Sequence, residues 1–317
     1  MEPGSWQMSA MTAKIPGMIP DEPLWNVFTP AVTAKLRAVS SRGEYLRCRL
    51  AILSADGLNP SPYNRELRAF KAAWDAYLAE AFAIGLFDGA HGADLRARLT
   101  DEDDNNHLSA MSECFAAWYL SGRRGLTLQP RPAGKQRSCL EFSIQLSDGN
   151  INVEVKAPHR QLTEGCFWGD DHDLLEKALQ QANKQFAKGQ RNLLVVHPRL
   201  RLSPFPAFQR APIERAFIGE EVVRIPINKA TGDPVGPHSL VFKQNGRLLK
   251  CWPAVRYTRI SAALFLSEQF EAGQIQPSAL IIHNPNAECP LRRDIWSGIP
   301  EFYLDGSRWR WSDEESN

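Results

Sequence analysis

The sequence predicts an α/β fold in which helices flank a central sheet and an N-terminal helical lobe precedes it. Apolar residues of the first hundred positions follow helical spacing, whereas from about residue 126 the chain changes to short β-forming runs with a helix among them. The 317 residues, 43% hydrophobic, suffice for one large domain or two small ones. We therefore expect a lobe over 1–100 and a second domain over 101–317.

The lobe is predicted from apolar residues at i, i+3 and i+4 steps, with Gly85 as a helix stop. These residues are Leu67, Phe70, Trp74, Leu78 and Phe82. An acidic stretch over 101–106 then caps another helix, which runs to Leu120 and contains Glu113.

Strands are expected after this helix, at runs rich in β-forming or alternating residues. The predicted strands are 126–129, 140–146, 151–157, 192–197, 261–266 and 279–283. A helix over 173–188 lies among them. The Pro- and Gly-rich stretch 199–256 is predicted to be an insertion or flap, and the tail 302–311 to be a hairpin.

Composition excludes several classes of protein. The formal net charge of +1 provides no global basic field, so any contact with a polyanion must be local. The six cysteines are scattered without a C-x-x-C motif, which favours reduced structural thiols over a zinc site. The N-terminus lacks the blocks of a signal peptide, and no apolar run approaches about 18 residues. We expect a cytoplasmic protein with no membrane partner.

One predicted hairpin concentrates charge. Apolar and polar residues alternate over 142–146 and 151–155, and Asp148-Gly149 is a strong signal for a two-residue turn. That turn would place Glu141 across from Lys156, with Cβ atoms about 5 Å apart, and Glu154 diagonal to Glu141 at about 7–8 Å. The predicted register brings two carboxylates and an ammonium group into one patch.

Such a patch can bind a divalent cation. Two carboxylates at this separation can hold Mg²⁺ or Mn²⁺ and leave positions for water and a phosphate oxygen, while the lysine orients the attacking water. A Glu-x-Lys motif alone is weak evidence for a metal site. The alternative is that the glutamate and the lysine form a cross-strand ion pair on the solvent-exposed face of an antiparallel hairpin.

The order of these elements is similar to the PD-(D/E)xK nuclease superfamily. The matching pieces are Glu113 in its helix, Leu140-Glu141, Glu154-Val155-Lys156, and the helix and strand over 174–196. The resemblance covers 103–197, about a third of the chain, and only the hairpin motif is specific. The family usually has Pro-Asp where this chain has Leu140-Glu141.

The resemblance implies a restriction endonuclease-like mixed central sheet and an Mg²⁺-dependent nuclease. Glu141 and Glu154 would be the metal ligands, Lys156 would orient the nucleophile, and Glu113 would be an auxiliary acidic residue of the catalytic site. Similar nucleases place a Gln or Lys of the following helix near the site, which makes Lys177, Gln181 and Lys184 candidates for substrate binding. A solvated helix face is the other explanation of that polar stripe. A basic rim is expected from Arg123, Arg124, Arg131, Lys135 and Arg137.

Three hypotheses remain open from the sequence. The first is an active nuclease that acts on DNA, as a dimer if it cuts both strands. The second is a catalytically inactive nuclease-like module that binds nucleic acid or protein and holds no metal. The third is a nuclease whose substrate is RNA or a nucleotide. His197 and His283, which end apolar strands, are expected to be structural histidines, since no nucleophile motif accompanies them.

Overall fold

The computed structural model of the chain describes residues 21–39, 44–130, 140–158, 172–197, 220–224, 226–236, 239–243, 257–305 and 308–313. Its helices are α1 (Pro23–Val27), α2 (Pro30–Ala38), α3 (Glu44–Leu53), α4 (Pro62–Ala83), α5 (Gly89–Leu99), α6 (Asp104–Ala117) and α7 (His172–Gln185). A single π-helical turn, Trp118–Arg123, follows α6.

The helices begin and end where their sequences provide caps. The Ser61 hydroxyl accepts from the Asn64 amide at the start of α4, and Pro62 occupies the first turn. The helix ends at Ala83, two residues before Gly85, whose φ of 78° suits a helix stop. Asp103 caps α6 by accepting from the Asn105 amide. The helices predicted within the first hundred residues are thus present.

The strands form one mixed sheet of eight strands and a separate sheet of two. They are β1 (Thr127–Pro130), β2 (Phe142–Gln145), β3 (Ile151–Lys156), β4 (Arg191–Val196), β5 (Glu220–Arg224), β6 (Ser239–Lys243), β7 (Ala262–Glu271), β8 (Gln274–His283), β9 (Glu301–Asp305) and β10 (Arg308–Trp311). The large sheet has the order β1-β2-β3-β4-β7-β8-β9-β10. Neighbours pair in parallel at β3–β4, β4–β7 and β8–β9 and antiparallel elsewhere. The predicted α/β class with a mixed sheet is confirmed.

Both faces of the sheet are covered. In β4, Leu193 and Val195 pack into a cluster shared with the N-terminal helices, whereas Leu194 and Val196 pack with Leu175 of α7 on the other face. The first cluster contains residues of the lobe and of the sheet together, so the lobe helices lie directly on one sheet face. Strands in the middle of this sheet are therefore buried on both sides.

The register of the β2–β3 hairpin differs from the prediction by two residues. Ile144 pairs with Ile151 rather than with Val153, and residues 145–150 connect the paired positions. The turn runs from Leu146 to Gly149, whose amide donates to the Leu146 carbonyl at 3.3 Å, with Gly149 at φ 121°. Asp148 is held by Arg191 of β4 at 2.9 Å instead of forming a two-residue turn. A shift of two residues keeps every side chain on its predicted face.

The β7–β8 hairpin is longer than the two strands predicted at 261–266 and 279–283. Its outer half is polar and partly exposed, so the apolar signal stops before the strands do. The turn consists of Ala272 and Gly273, both with positive φ, at 49° and 84°. The predicted tail hairpin is confirmed by the pairing of Asp305 with Arg308.

The stretch predicted as an insertion contributes β5 and β6, which pair only with each other among the described residues. The hairpin predicted near Asn245-Gly246 lies outside the described residues. No helix in the described stretches is long and apolar enough to cross a membrane.

The two turn residues of β7–β8 allow a paired stability test. An L-residue in the left-handed region is strained, so Ala272→Gly should raise the free energy of unfolding by about 0.5–1 kcal/mol. Gly273→Ala should lower it by about 1–2 kcal/mol through backbone strain alone, because a Cβ at this glycine would meet no atom within 4 Å. Urea denaturation measures both. Shifts of the same sign in the two variants would contradict the assigned turn.

Candidate active site at the carboxyl ends of β3 and β4

Glu154 lies in the most enclosed part of the sheet. Its strand, β3, is paired on both sides, with Glu154 level with Leu194 of β4, and the side chain is fully buried. The ion-pair alternative requires a solvent-exposed sheet face, but at this position the face is buried. A charge here has no water to solvate it and depends on its neighbours.

Those neighbours provide a hydrogen-bond donor to only one of the two oxygens of the Glu154 carboxylate. The Lys156 ammonium donates to Oε1 of Glu154. Oε2 is buried and has no hydrogen-bond donor among the described residues. An unpaired buried carboxylate oxygen is destabilising unless a proton, a water molecule or a cation satisfies it.

Glu141 lies beside it. Glu141 is in the bend before β2, and its Oε2 accepts from the Val155 amide at 3.1 Å, which fixes the carboxylate against β3. The carboxylates of Glu141 and Glu154 are within hydrogen-bonding reach of each other. Two ionised carboxylates are both acceptors, so this contact is a hydrogen bond only when one of them carries a proton.

The predicted pairing of Glu141 with Lys156 is therefore wrong. Continuing the observed register from Phe142–Val153 places Glu141 across from Glu154 rather than across from Lys156. The three side chains still come together, because Lys156 turns back along its own strand to Glu154. The result is a closer contact between the two carboxylates than the predicted diagonal.

Burial makes both carboxyl groups hard to ionise. Desolvation raises the pKa of Glu141 well above its usual range, and the charges of Glu154 and Glu113 raise it further, with a small offset from Lys156. Desolvation also raises the pKa of Glu154, although the contact with Lys156 opposes it. The two carboxyl groups titrate together, so an apparent pKa describes the pair and not either residue alone.

Glu113, the predicted auxiliary residue, is also buried near this pair. It has no partner on its own helix, as the sequence predicts, but Arg98 of α5 binds both its oxygens at 2.6 and 3.0 Å. Nε of Arg98 also donates to Asp94 at 2.8 Å. These contacts raise the pKa of Arg98 although burial alone would lower it. Glu113 thus contributes negative potential with both oxygens occupied.

The predicted substrate-binding residues lie apart from this group. The apolar stripe of α7 is buried as expected, and Lys177, Gln181 and Lys184 are exposed on its outer side. Because α7 links two parallel strands, it runs back toward the start of β4, so Lys184 lies toward the end of the sheet away from Lys156. In the described stretches, no hydrogen bond or ion pair joins these three residues to the acidic group.

Two members of the predicted basic rim are engaged elsewhere. Arg124 donates to the Ile295 carbonyl at 3.0 Å, and Arg123 lies over Trp118 and contacts Gln276. Arg131, Lys135 and Arg137 lie outside the described residues.

Sequence analysis missed the long-range partners. The sequence signal for the partner of Glu113 is Arg98, an arginine in the last turn of the preceding helix. His197, predicted to be structural, is buried with Nδ1 2.9 Å from Ser112 Oγ and Nε2 3.3 Å from Glu268. His283 is likewise held, with Nε2 2.9 Å from Glu301. Nothing local marks these pairs, since their members are distant in sequence.

The donor set suits one kind of metal ion. Within the described residues, no group of three or more His, Cys, Asp or Glu side chains is arranged to hold a metal ion. Two adjacent carboxylates with an unpaired oxygen nevertheless fit a hard divalent cation, whose other ligands would be water and a substrate oxygen. Such a cation would also stabilise the ionised pair.

Comparison of the chain with family models, curated proteins and solved structures found no match. The geometry of the site therefore has to support any proposal about function by itself.

The raised pKa of Glu141 predicts a pH-dependent stability change. Between the unfolded value near 4.5 and the higher folded value, the native protein holds more protons, so stability falls as pH rises through that window. In metal-free buffer, Glu141→Gln should raise the free energy of unfolding at pH 7 by about 1–3 kcal/mol, because the amide can donate to Glu154 without bearing charge. At pH 4, below both values, the gain should nearly vanish.

Thermal unfolding with EDTA at both pH values measures this difference. Glu271→Gln, at an exposed position at the end of β7, is the matched control and should show no comparable gain. An equal gain at both pH values for Glu141→Gln would contradict the pH dependence derived from this pair.

Proposed function

We propose that this chain is a metal-dependent nuclease of the PD-(D/E)xK type that hydrolyses phosphodiester bonds in DNA. The observation that carries the proposal is the Glu141–Glu154 pair next to Lys156, in which Glu154 is fully buried and has an unpaired oxygen. A module retained only for its fold gains nothing from two carboxylates in contact, because desolvation and mutual repulsion both disfavour them.

Charge balance supports a bound cation. Among the described residues, Glu113 is paired with Arg98 and Glu154 with Lys156, so full ionisation of Glu113, Glu141 and Glu154 leaves one negative charge that none of these pairs compensates. A divalent ion such as Mg²⁺ or Mn²⁺ would compensate this charge and satisfy the free oxygen of Glu154.

Each residue has a distinct role in the proposal. Glu141 and Glu154 hold the ion, which when bound would polarise a phosphate oxygen and offset its charge. Lys156 is fixed by Glu154 and orients the attacking water, and its ammonium group offsets charge that develops on the phosphoryl oxygens. Glu113, held by Arg98, contributes to the negative potential that attracts the ion.

The order of elements supports a restriction endonuclease-like fold. A helix bearing Glu113 precedes an antiparallel hairpin, β2–β3, and a crossover helix leads to the parallel strand β4. Glu154 and Lys156 lie at the carboxyl end of β3, and Glu141 lies beside them because it precedes β2, which is antiparallel to β3. Ligands bind at the carboxyl ends of strands in open α/β sheets. The Leu140-Glu141 departure from Pro-Asp is compatible with this arrangement, since the Val155 amide fixes the longer glutamate.

Substrate contacts in this proposal come from local surfaces, because the chain is near neutral overall. Lys177 and Gln181 lie on the solvent face of α7 and are available to phosphate groups, with Lys184 farther along. We take DNA as the substrate, with RNA or a nucleotide as outcomes of the same assay. Cutting both strands would require two sites and hence a dimer.

A second candidate function is a metal-free binding module. The contact between Lys156 and Glu154 favours it, because it supplies a structural ion pair without a metal ion. It leaves the second carboxylate and the free Glu154 oxygen unexplained. The two candidates differ in whether a divalent cation binds.

Isothermal titration with Mn²⁺ at pH 7.5 separates the two candidates. The nuclease proposal predicts one site that is weakened about tenfold or more by Glu141→Gln and by Glu154→Gln, since each removes a charged ligand. Glu271→Gln, at an exposed position, should bind as the wild type does. Absence of binding, or binding unaffected by both site variants, supports the metal-free module instead.

Cleavage of plasmid and of single-stranded DNA with Mg²⁺ tests the chemistry. Lys156→Gln should lower kcat by about 100-fold or more with little change in Mn²⁺ affinity, because the lysine acts on water and phosphate and not on the ion. Glu154→Gln should abolish cleavage and also weaken Mn²⁺ binding about tenfold or more. Equal cutting by wild type and both variants would exclude this site as the source of activity.

A further inference from the structure

Four buried side chains, from α4, α6, β7 and the residue that follows β4, meet on the lobe side of the sheet. Tyr77 of α4 donates to Glu268 Oε1 at 2.8 Å, and Glu268 Oε2 lies 3.3 Å from His197 Nε2. Nδ1 of His197 lies 2.9 Å from the hydroxyl of Ser112 in α6. An Nε2–H that donates to the carboxylate leaves Nδ1 to accept from Ser112.

This network links a hydroxyl (Ser112), an imidazole (His197) and a carboxylate (Glu268), but it is not a hydrolytic triad. Ser112 is fully buried within α6, and His197 is 1% exposed, so no substrate can approach the hydroxyl. Any contribution of this network to function must come from the side chains and the backbone that it holds in position.

His197 connects two parts of the candidate site. Its imidazole holds Ser112, which immediately precedes Glu113 in α6, and its ring packs on Phe115 with centroids 4.4 Å apart. Its backbone amide donates to the Lys156 carbonyl at 2.9 Å. A single residue therefore ties the helix of Glu113 to the strand of Lys156.

We propose that His197 is a positioning residue that acts through Ser112. The bond to Ser112 sets the place of Glu113, and of the Arg98 guanidinium bound to it, relative to Glu154 and Lys156. The inference rests on the proposed function for its effect on catalysis, but the placement of Glu113 is measurable without any activity.

Two substitutions of His197 separate its two contacts. In His197→Asn the amide lies where Nδ1 was, so the bond to Ser112 can remain while that to Glu268 is lost. In His197→Gln the amide lies nearer the position of Nε2, so Glu268 remains bound and Ser112 is released. Ser112→Ala removes the same contact as His197→Gln with the smallest change in volume.

The readout of placement is the NMR signal of the Arg98 guanidinium Nη–H groups, which donate to Glu113, assigned with Arg98→Lys. Ser112→Ala and His197→Gln should shift or broaden it, whereas His197→Asn should leave it near the wild-type position. In cleavage assays the first two should lower kcat about 10-fold or more with KM within about twofold, because misplacement costs rate more than binding. His197→Asn should stay within about threefold of wild type.

These outcomes distinguish the two proposals. An unchanged Arg98 signal in both Ser112→Ala and His197→Gln overturns the positioning role, whatever the cleavage assay shows. The positioning role is also overturned if kcat falls in proportion to thermal stability and His197→Asn loses as much activity as His197→Gln. A wild type that neither cuts DNA nor binds Mn²⁺ refutes the nuclease proposal, and the NMR comparison then still decides whether His197 places Glu113.

Discussion

Burial of β3 on both faces is the constraint on which the candidate site depends. The strand lies between β2 and β4, with α6 over one face and α7 over the other. A carboxylate on such a strand loses its water, and its charge is tolerated only with a cation or a proton nearby. The contacts that Glu154 makes with Lys156 and Glu141 follow from this requirement.

The hairpin shows what alternation can and cannot predict. Apolar residues at every second position determine which face each side chain occupies, and those faces were predicted correctly. The pairing partner depends on the turn, where Asp148-Gly149 suggested two residues. The chain instead packs Leu146 against the core and binds Asp148 to Arg191, which lengthens the connection. Such contacts come from elements distant in sequence, so local turn chemistry did not reveal them.

The site was predictable to the extent that it is local. Glu154 and Lys156 are two residues apart on one strand, and that spacing was visible in the sequence. The bidentate partner of Glu113 comes from another helix, and Ser112 binds a histidine 85 residues away. Helical spacing in α6 could predict that Glu113 lacked a partner on its own helix but not which residue supplied one.

Glu301 provides an internal comparison for the two carboxylates. It is also buried, yet hydrogen bonds from His283 and Arg293 outweigh desolvation and hold its pKa below the usual range. The fold can therefore stabilise the charge of a buried glutamate when its role is structural. At Glu141 and Glu154 the balance is reversed, with raised pKa values and an unpaired oxygen. Proteins tolerate such destabilising arrangements mainly where a ligand offsets them, which is the physical reason to look for a cation at this pair and not at Glu301.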